Sequence, residues 1–209
     1  MNPKYSVQET GPRIEEFVGR LIADAGFELT FQLEPGDHSN PDFENPDLMV
    51  KFSGPDVELL LSNRAELLLA LELVTQEMLR MHSDDHSRVA FDANDYRALR
   101  IEELRVSALA AAEKVKHTGA YFRFNAMNSR ERRVIHIALR NEPEVRSESA
   151  GLGPQRGVVI YPASMPSIPD LPPLPMPSRA PDRERAGGDR DRDRGRRPER
   201  GRRPMRPRR

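Results

Sequence analysis

The chain has no cysteine, so no disulfide or thiolate chemistry is available to it, and a reducing, cytoplasmic setting fits that absence. It has no apolar run long enough to span a bilayer and no basic-then-apolar leader at its start, so membrane insertion and export are not expected. Apolar residues make up only 37 % of its 209 positions and proline occurs 19 times, which is too little core and too much punctuation for the whole length to pack. Phosphate loops of the Gly-x-x-x-x-Gly-Lys type and Gly-x-Ser-x-Gly elbows are both missing. His82, Asp84, Asp85 and His86 have spacing that metal ligands can use, but a polar turn between a helix and a strand explains them better. No nucleophile, base or metal set converges, so an enzyme is not expected, and neither is a cofactor or a metal.

What the chain does have is an uneven distribution of charge. Residues 1 to 93 carry 7 Lys and Arg against 18 Asp and Glu, whereas residues 120 to 162 carry 7 Arg against 4 Glu. Residues 181 to 209 carry 13 Arg against 6 acids. The neutral total therefore hides an acidic first part, a basic folded segment and a basic end.

The basic segment centres on residues 127 to 140. Asn128 or Ser129 can cap a helix, Glu131 lies in its first turn, and Asn141 and Pro143 stop it. At helical spacing Val134, Ile135, Ala138 and Leu139 share one face, which should be buried, while Arg132, Arg133, His136 and Arg140 share the other. Arg132 and His136 lie one turn apart and are expected to project side by side into solvent. A guanidinium fork matches phosphate oxygens, and an imidazole can stack or donate without a permanent charge. A solvated basic face on a surface helix would show the same periodicity.

Arg132-x-x-x-His136, with Met127, Asn128 and Glu131 around it and the run Gly151 to Ile160 downstream, resembles the Arg-x-x-x-His (R-three-H) domain of bacterial Jag-type proteins. The resemblance implies binding of single-stranded nucleic acid, RNA in preference to DNA. The helix face then puts Arg132 and His136 at the contact with Arg133 and Arg140 adding charge, and Arg123, Arg130 and Arg156 extend the patch if they lie on the same side. Tyr121, Phe122 and Phe124 offer a stacking ring in principle, but core is the expected fate of each.

Upstream, the pattern reads as a helix over Arg13 to Ala25, led in by Thr10-Gly11-Pro12, and strands over Phe27 to Leu33 and Leu48 to Phe52. Helices over Val57 to Leu61 and Ala65 to Arg80, a strand over Arg88 to Ala93 and a helix from Tyr96 to Lys116 follow. Leu67, Leu68, Leu71, Val74, Met78 and Leu79 form the expected inward stripe of the second long helix, while Leu69 and Leu73 lie on its polar side as a candidate contact stripe. This order resembles a bacterial KH domain, the module that precedes the Arg-x-x-x-His domain in Jag-type proteins. A KH domain holds the nucleic-acid backbone with a Gly-x-x-Gly loop, because glycines let phosphate approach the amides. Here that loop is Ser62-Asn63-Arg64-Ala65 and the surrounding charge is negative, so its grip on RNA should be weakened.

The expected fold is α+β: two small α/β domains and a C-terminal tail. The bounds are residues 1 to 9 as a flexible start, 10 to 93 KH-like, 94 to 162 Arg-x-x-x-His, and 163 to 209 a Pro-rich linker and Arg-rich arm that adds nonspecific RNA affinity. The expected partner is single-stranded RNA, with DNA as a possible substitute; the resemblance also allows a homodimer or a partner KH protein. The alternative function is a protein-interaction adaptor working through the acidic KH-like half.

Overall fold

The computed structural model describes residues 4–38 and 41–168. The first half runs α1 (Val7–Ala25), β1 (Thr30–Pro35), β2 (Leu48–Ser53), α2 (Val57–Met78) and β3 (Val89–Ala93). The second runs α3 (Tyr96–Thr118), β4 (Phe122–Arg123), α4 (Ser129–Ala138), β5 (Val145–Ala150) and β6 (Gly157–Pro162). This is the α+β arrangement of two small α/β domains that the pattern indicated. The proposed tail from residue 169 lies outside the described residues. Among the described residues no helix is long and apolar enough to cross a membrane.

In the first half β2 lies between β1, to which it is antiparallel, and β3, to which it is parallel. Ile14, Val18 and Ile22 of α1 recur at helical spacing and close over Leu48, Val50, Phe52 and Phe91 of the sheet. The alternation of Phe27, Leu29, Phe31 and Leu33 places all four against this core, although regular pairing begins only at Thr30.

Two expectations for this half need correction. α1 starts at Val7, not at Arg13: Ser6 caps it by accepting from the Glu9 amide at 3.2 Å, and Pro12 lies inside the helix. Just before it, the Lys4 amide donates to Asp47 at 3.0 Å and its ammonium lies 2.5 Å from Asp85, so residues 4 to 9 are tied to the body. The inward row of α2 differs in part. Leu68 is buried and Leu67, Leu71 and Leu79 pack half-buried against the core as expected, but the other buried positions beyond Leu68 are Glu72, Thr75 and Gln76, and Val74 is 44 % exposed.

Polar groups hold the inward places because each is fully used there. Gln76 donates to the backbone oxygens of His86 and Val89, at 2.8 and 3.0 Å, and so fixes the start of β3. Thr75 returns its hydroxyl to the Leu71 carbonyl. Glu72 accepts from the Phe91 amide at 2.9 Å. The Leu69 and Leu73 stripe is split: Leu73 is 50 % exposed, whereas Leu69 is half-buried beside Arg97, Arg130 and Val134.

In the second half β6 is the middle strand, antiparallel to both β4 and β5. α3 supplies Leu104, Ala108, Ala111, Ala112 and Val115, and its alanines let it lie close to Val134, Ile135, Leu139, Val158 and Ile160. The long helix thus completes a core too thin for α4 and the sheet alone. Gly119 ends α3 in a left-handed conformation at φ 67°.

Candidate nucleic-acid interface

α4 is set by both of its ends. Asn128 accepts from the Glu131 amide at 2.9 Å and Glu131 returns a carboxylate oxygen to the Asn128 amide at 3.0 Å, a reciprocal cap that fixes where the first turn begins. Val134, Ile135 and Leu139 are buried as the periodicity requires, so Arg132 and His136 must turn away from the α3 side.

They do not project freely into solvent. Both lie half-buried along β5, where Ser147 and Ser149 point to the same face of the strand. Arg132 Nη1 donates to Ser149 Oγ at 3.0 Å, His136 Nε2 lies 3.1 Å from that same hydroxyl, and His136 Nδ1 lies 2.8 Å from Ser147 Oγ. A guanidinium can only donate, so the Ser149 oxygen accepts from Arg132 and its hydrogen is available to Nε2. The geometry suits a neutral imidazole protonated on Nδ1 and donating to Ser147.

The electrostatics agree. Burial, and then the adjacent Arg132 charge, hold the His136 pKa below its ordinary value. Burial and the nearby Arg156 lower that of Arg132, which nonetheless stays cationic at any physiological pH. The Arg132 Nε is buried without a hydrogen-bond partner, so this guanidinium is only partly satisfied within the described residues. An anion meeting Arg132 would find a preoriented cation beside an imidazole whose pKa is free to rise.

The other arginines separate. Arg156 is exposed and electrostatically coupled to Arg132, so it belongs to the same patch. Arg140 is exposed just beyond α4. Arg133 is exposed and borders a hollow with Phe43, Glu44 and Ser87. Arg130 turns into the junction with the first half: its guanidinium lies 2.6 Å from Glu72 and donates to the His86 carbonyl at 3.0 Å. Phe122 and Phe124 make an edge-on pair at 5.0 Å against the second core, and Tyr121 is exposed.

The Ser62-Asn63-Arg64-Ala65 corner interrupts α2. Asn63, Arg64 and Ala65 take left-handed φ values of 52°, 62° and 58°, so the backbone retains a conformation for which glycine would be the usual choice. Neighbours hold it there: Ala65 is fully buried, the Tyr96 hydroxyl donates to the Arg64 carbonyl at 3.0 Å, and Arg64 Nη1 donates to the Ala126 carbonyl at 3.3 Å. The last contact brings the corner to the loop that leads into α4.

Sequence reasoning missed Ser147, Ser149 and Glu72. The serines had a signal, a two-residue spacing in a strand next to the basic helix; Glu72 had none, since a glutamate on a leucine-rich helix reads as solvent-facing. His82 caps a short turn by accepting from the Asp84 amide, Asp85 is used by Lys4 and Arg88, and the His86 carbonyl receives Gln76 and Arg130. Among the described residues no group of His, Cys, Asp and Glu is placed to hold a metal.

Known proteins are similar to part of this chain. Residues 102–162 match the family model of the R-three-H domain. The chain is 35 % identical over 114 residues to the RNA-binding protein KhpB of Clostridium symbiosum, covering 54 % of this chain and 51 % of that protein. It is 32 % identical over 119 residues to KhpB of Lactiplantibacillus plantarum, covering 57 % and 37 %, and 33 % identical over 110 residues to KhpB of Bacillus subtilis, covering 52 % and 53 %. The chain thus spans about half or less of the length of these curated relatives.

Proposed function

We propose that this chain, with an R-three-H match over α3 to β6 and similarity to KhpB proteins, is a non-enzymatic, cytoplasmic protein that binds single-stranded RNA at the Arg132 and His136 face of α4. The observation that carries this reading is the shared Ser149 hydroxyl, which holds a guanidinium and an imidazole in one fixed pair at 3.0 and 3.1 Å. Arg132 takes a backbone phosphate, for which its fork of donors is suited. His136 offers its ring to the neighbouring sugar or base. Arg156 and Arg140 add charge around the contact, while Arg130 serves the junction instead. RNA over DNA follows from the KhpB likeness alone. The Arg-rich end adds sequence-independent affinity that weakens as salt rises.

The test is fluorescence anisotropy with a labelled single-stranded RNA pool, comparing the full chain, a version ending at residue 163, and Arg132→Ala with His136→Ala in each. Loss of binding by the double variant in the shorter version supports the reading. Binding that disappears only with the arginine-rich end overturns it. The acidic first half would then be the working part as a protein adaptor, a role for which Leu73 and Val74 remain open on α2.

A further inference from the structure

We infer that the Asn63 and Arg64 corner and the Arg132 end of α4 form the two walls of one cleft that takes the next nucleotide of the same RNA strand, its phosphate held between Arg64 and Arg132. This rests on the function proposed above and extends it to the half of the chain whose Gly-x-x-Gly loop is degenerate.

The cleft measures about 590 Å³, within the roughly 300–1,000 Å³ typical of pockets that enclose small ligands. One wall is Asn63 and Arg64, the other Met127, Asn128 and Arg132, and Pro154 closes the rim. Arg132 therefore borders both this cleft and the serine ladder, which makes the two places continuous along one strand. A flexible gap between domains would not hold a nucleotide in register, but this one is pinned. Arg64 reaches the Ala126 carbonyl, Arg130 reaches Glu72, and α3 ties to α4 through Arg100 and Glu131 at 2.7 Å.

The chemistry of the grip differs from that of a glycine loop. Side chains at positions 63 to 65 keep a phosphate away from the backbone amides, so any hold must come from the Arg64 guanidinium, which the Ala126 contact already aims across the cleft. Glu66 and Glu131 also line the cleft; Glu131 is engaged by Arg100 and the Asn128 amide, whereas Glu66 is exposed. The Glu66 carboxylate repels a phosphate and accepts from amino or ribose hydroxyl groups, so it directs the phosphate toward the arginine pair.

The experiment uses the full chain and a fluorescein-labelled oligouridylate of roughly 10 nucleotides, a length in the range single-strand modules cover. Affinity is measured across a salt series, with circular dichroism and thermal melting of each variant. Arg64→Gln should weaken binding roughly fivefold and reduce the log–log salt slope by about 0.7, the value of one phosphate contact on a single strand; Arg64→Lys should keep the slope. Glu66→Lys should tighten binding and steepen the slope more than Glu16→Lys, an exposed change on α1 outside the cleft. An Arg64→Gln protein with parental affinity and slope, while Arg132→Ala still weakens binding, overturns the shared cleft and leaves the function proposed above standing. If Arg132→Ala is also without effect, that function falls with it. Should Arg64→Gln fail to fold, equal effects of Glu66→Lys and Glu16→Lys would overturn the cleft.

Discussion

Arg130 and Glu72 meet at 2.6 Å across the junction between the two halves of the chain. Glu72 is the more buried partner, and its carboxylate also takes the Phe91 amide and Arg97 Nη1, at 2.9 and 3.1 Å, while Arg97 is held on its other side by Glu44. One carboxylate therefore joins α2, β3, α3 and the start of α4.

Removing that carboxylate should be severe. Glu72→Ala takes from Arg130 its carboxylate partner at the junction and leaves Arg97 only Glu44, so a loss of up to about 3–5 kcal/mol is expected. Urea unfolding followed by circular dichroism measures it; a loss below about 1 kcal/mol would mean that the network is not a structural centre.

Arg130→Gln separates stability from binding. It should lower the melting temperature, because it uncovers Glu72, yet leave the salt dependence of RNA affinity as it was. A flatter salt slope would return Arg130 to the RNA face.

Acid should act on this protein through His136. Its folded pKa is below the ordinary value of about 6.5, so the unfolded chain binds the proton more readily, and the ring's contribution to stability is lost as pH falls through about 6.5 toward the folded pKa. Thermal melts from neutral to mildly acidic pH should show a fall that His136→Asn reduces. A bound phosphate favours the charged ring, so RNA affinity should move the other way. It should rise as pH drops through the same window, by up to about tenfold for each unit that RNA raises the pKa. Affinity that does not change with pH would remove His136 from the contact.

Ser149→Ala tests the positioning of the pair. The guanidinium and imidazole lose their common partner while both stay present, so RNA binding should weaken by roughly three- to tenfold with little change in the salt slope. Unaltered affinity would mean that α4 alone sets the geometry.

The periodicity of residues 134 to 139 and the cap at Asn128 were legible in the sequence because they depend on neighbours in the chain. So were the strands: Phe27 to Leu33 alternate whatever they pair with, and Val89 and Phe91 fall on one side of the short stretch to Ala93. Ser147 and Ser149 were not legible as site residues, since their role depends on β5 passing beside α4. The fate of Arg130 and the burial of Glu72 and Gln76 were hidden for the same reason. A charge on a helix reads as solvent-facing until a partner distant in sequence arrives. The start of α1 was misplaced because Pro12 looks like a first-turn residue, whereas Ser6 supplies a better cap more than a turn earlier.

The left-handed corner at Asn63, Arg64 and Ala65 bears on how this chain can change. Each such residue with a side chain is strained by about 1–2 kcal/mol relative to ordinary helix, and glycine relieves that strain. Asn63 is exposed, so glycine there would disturb no packing and should raise the melting temperature; glycine at Arg64 also removes the hydrogen bond to the Ala126 carbonyl, and Ala65 is buried and gives up a methyl group if replaced. A more stable corner therefore lies one substitution away at Asn63. Drift toward glycine at Arg64 as well would restore a backbone that phosphate can approach and surrender the guanidinium aimed at Ala126, exchanging one mode of holding RNA for another without any change of fold.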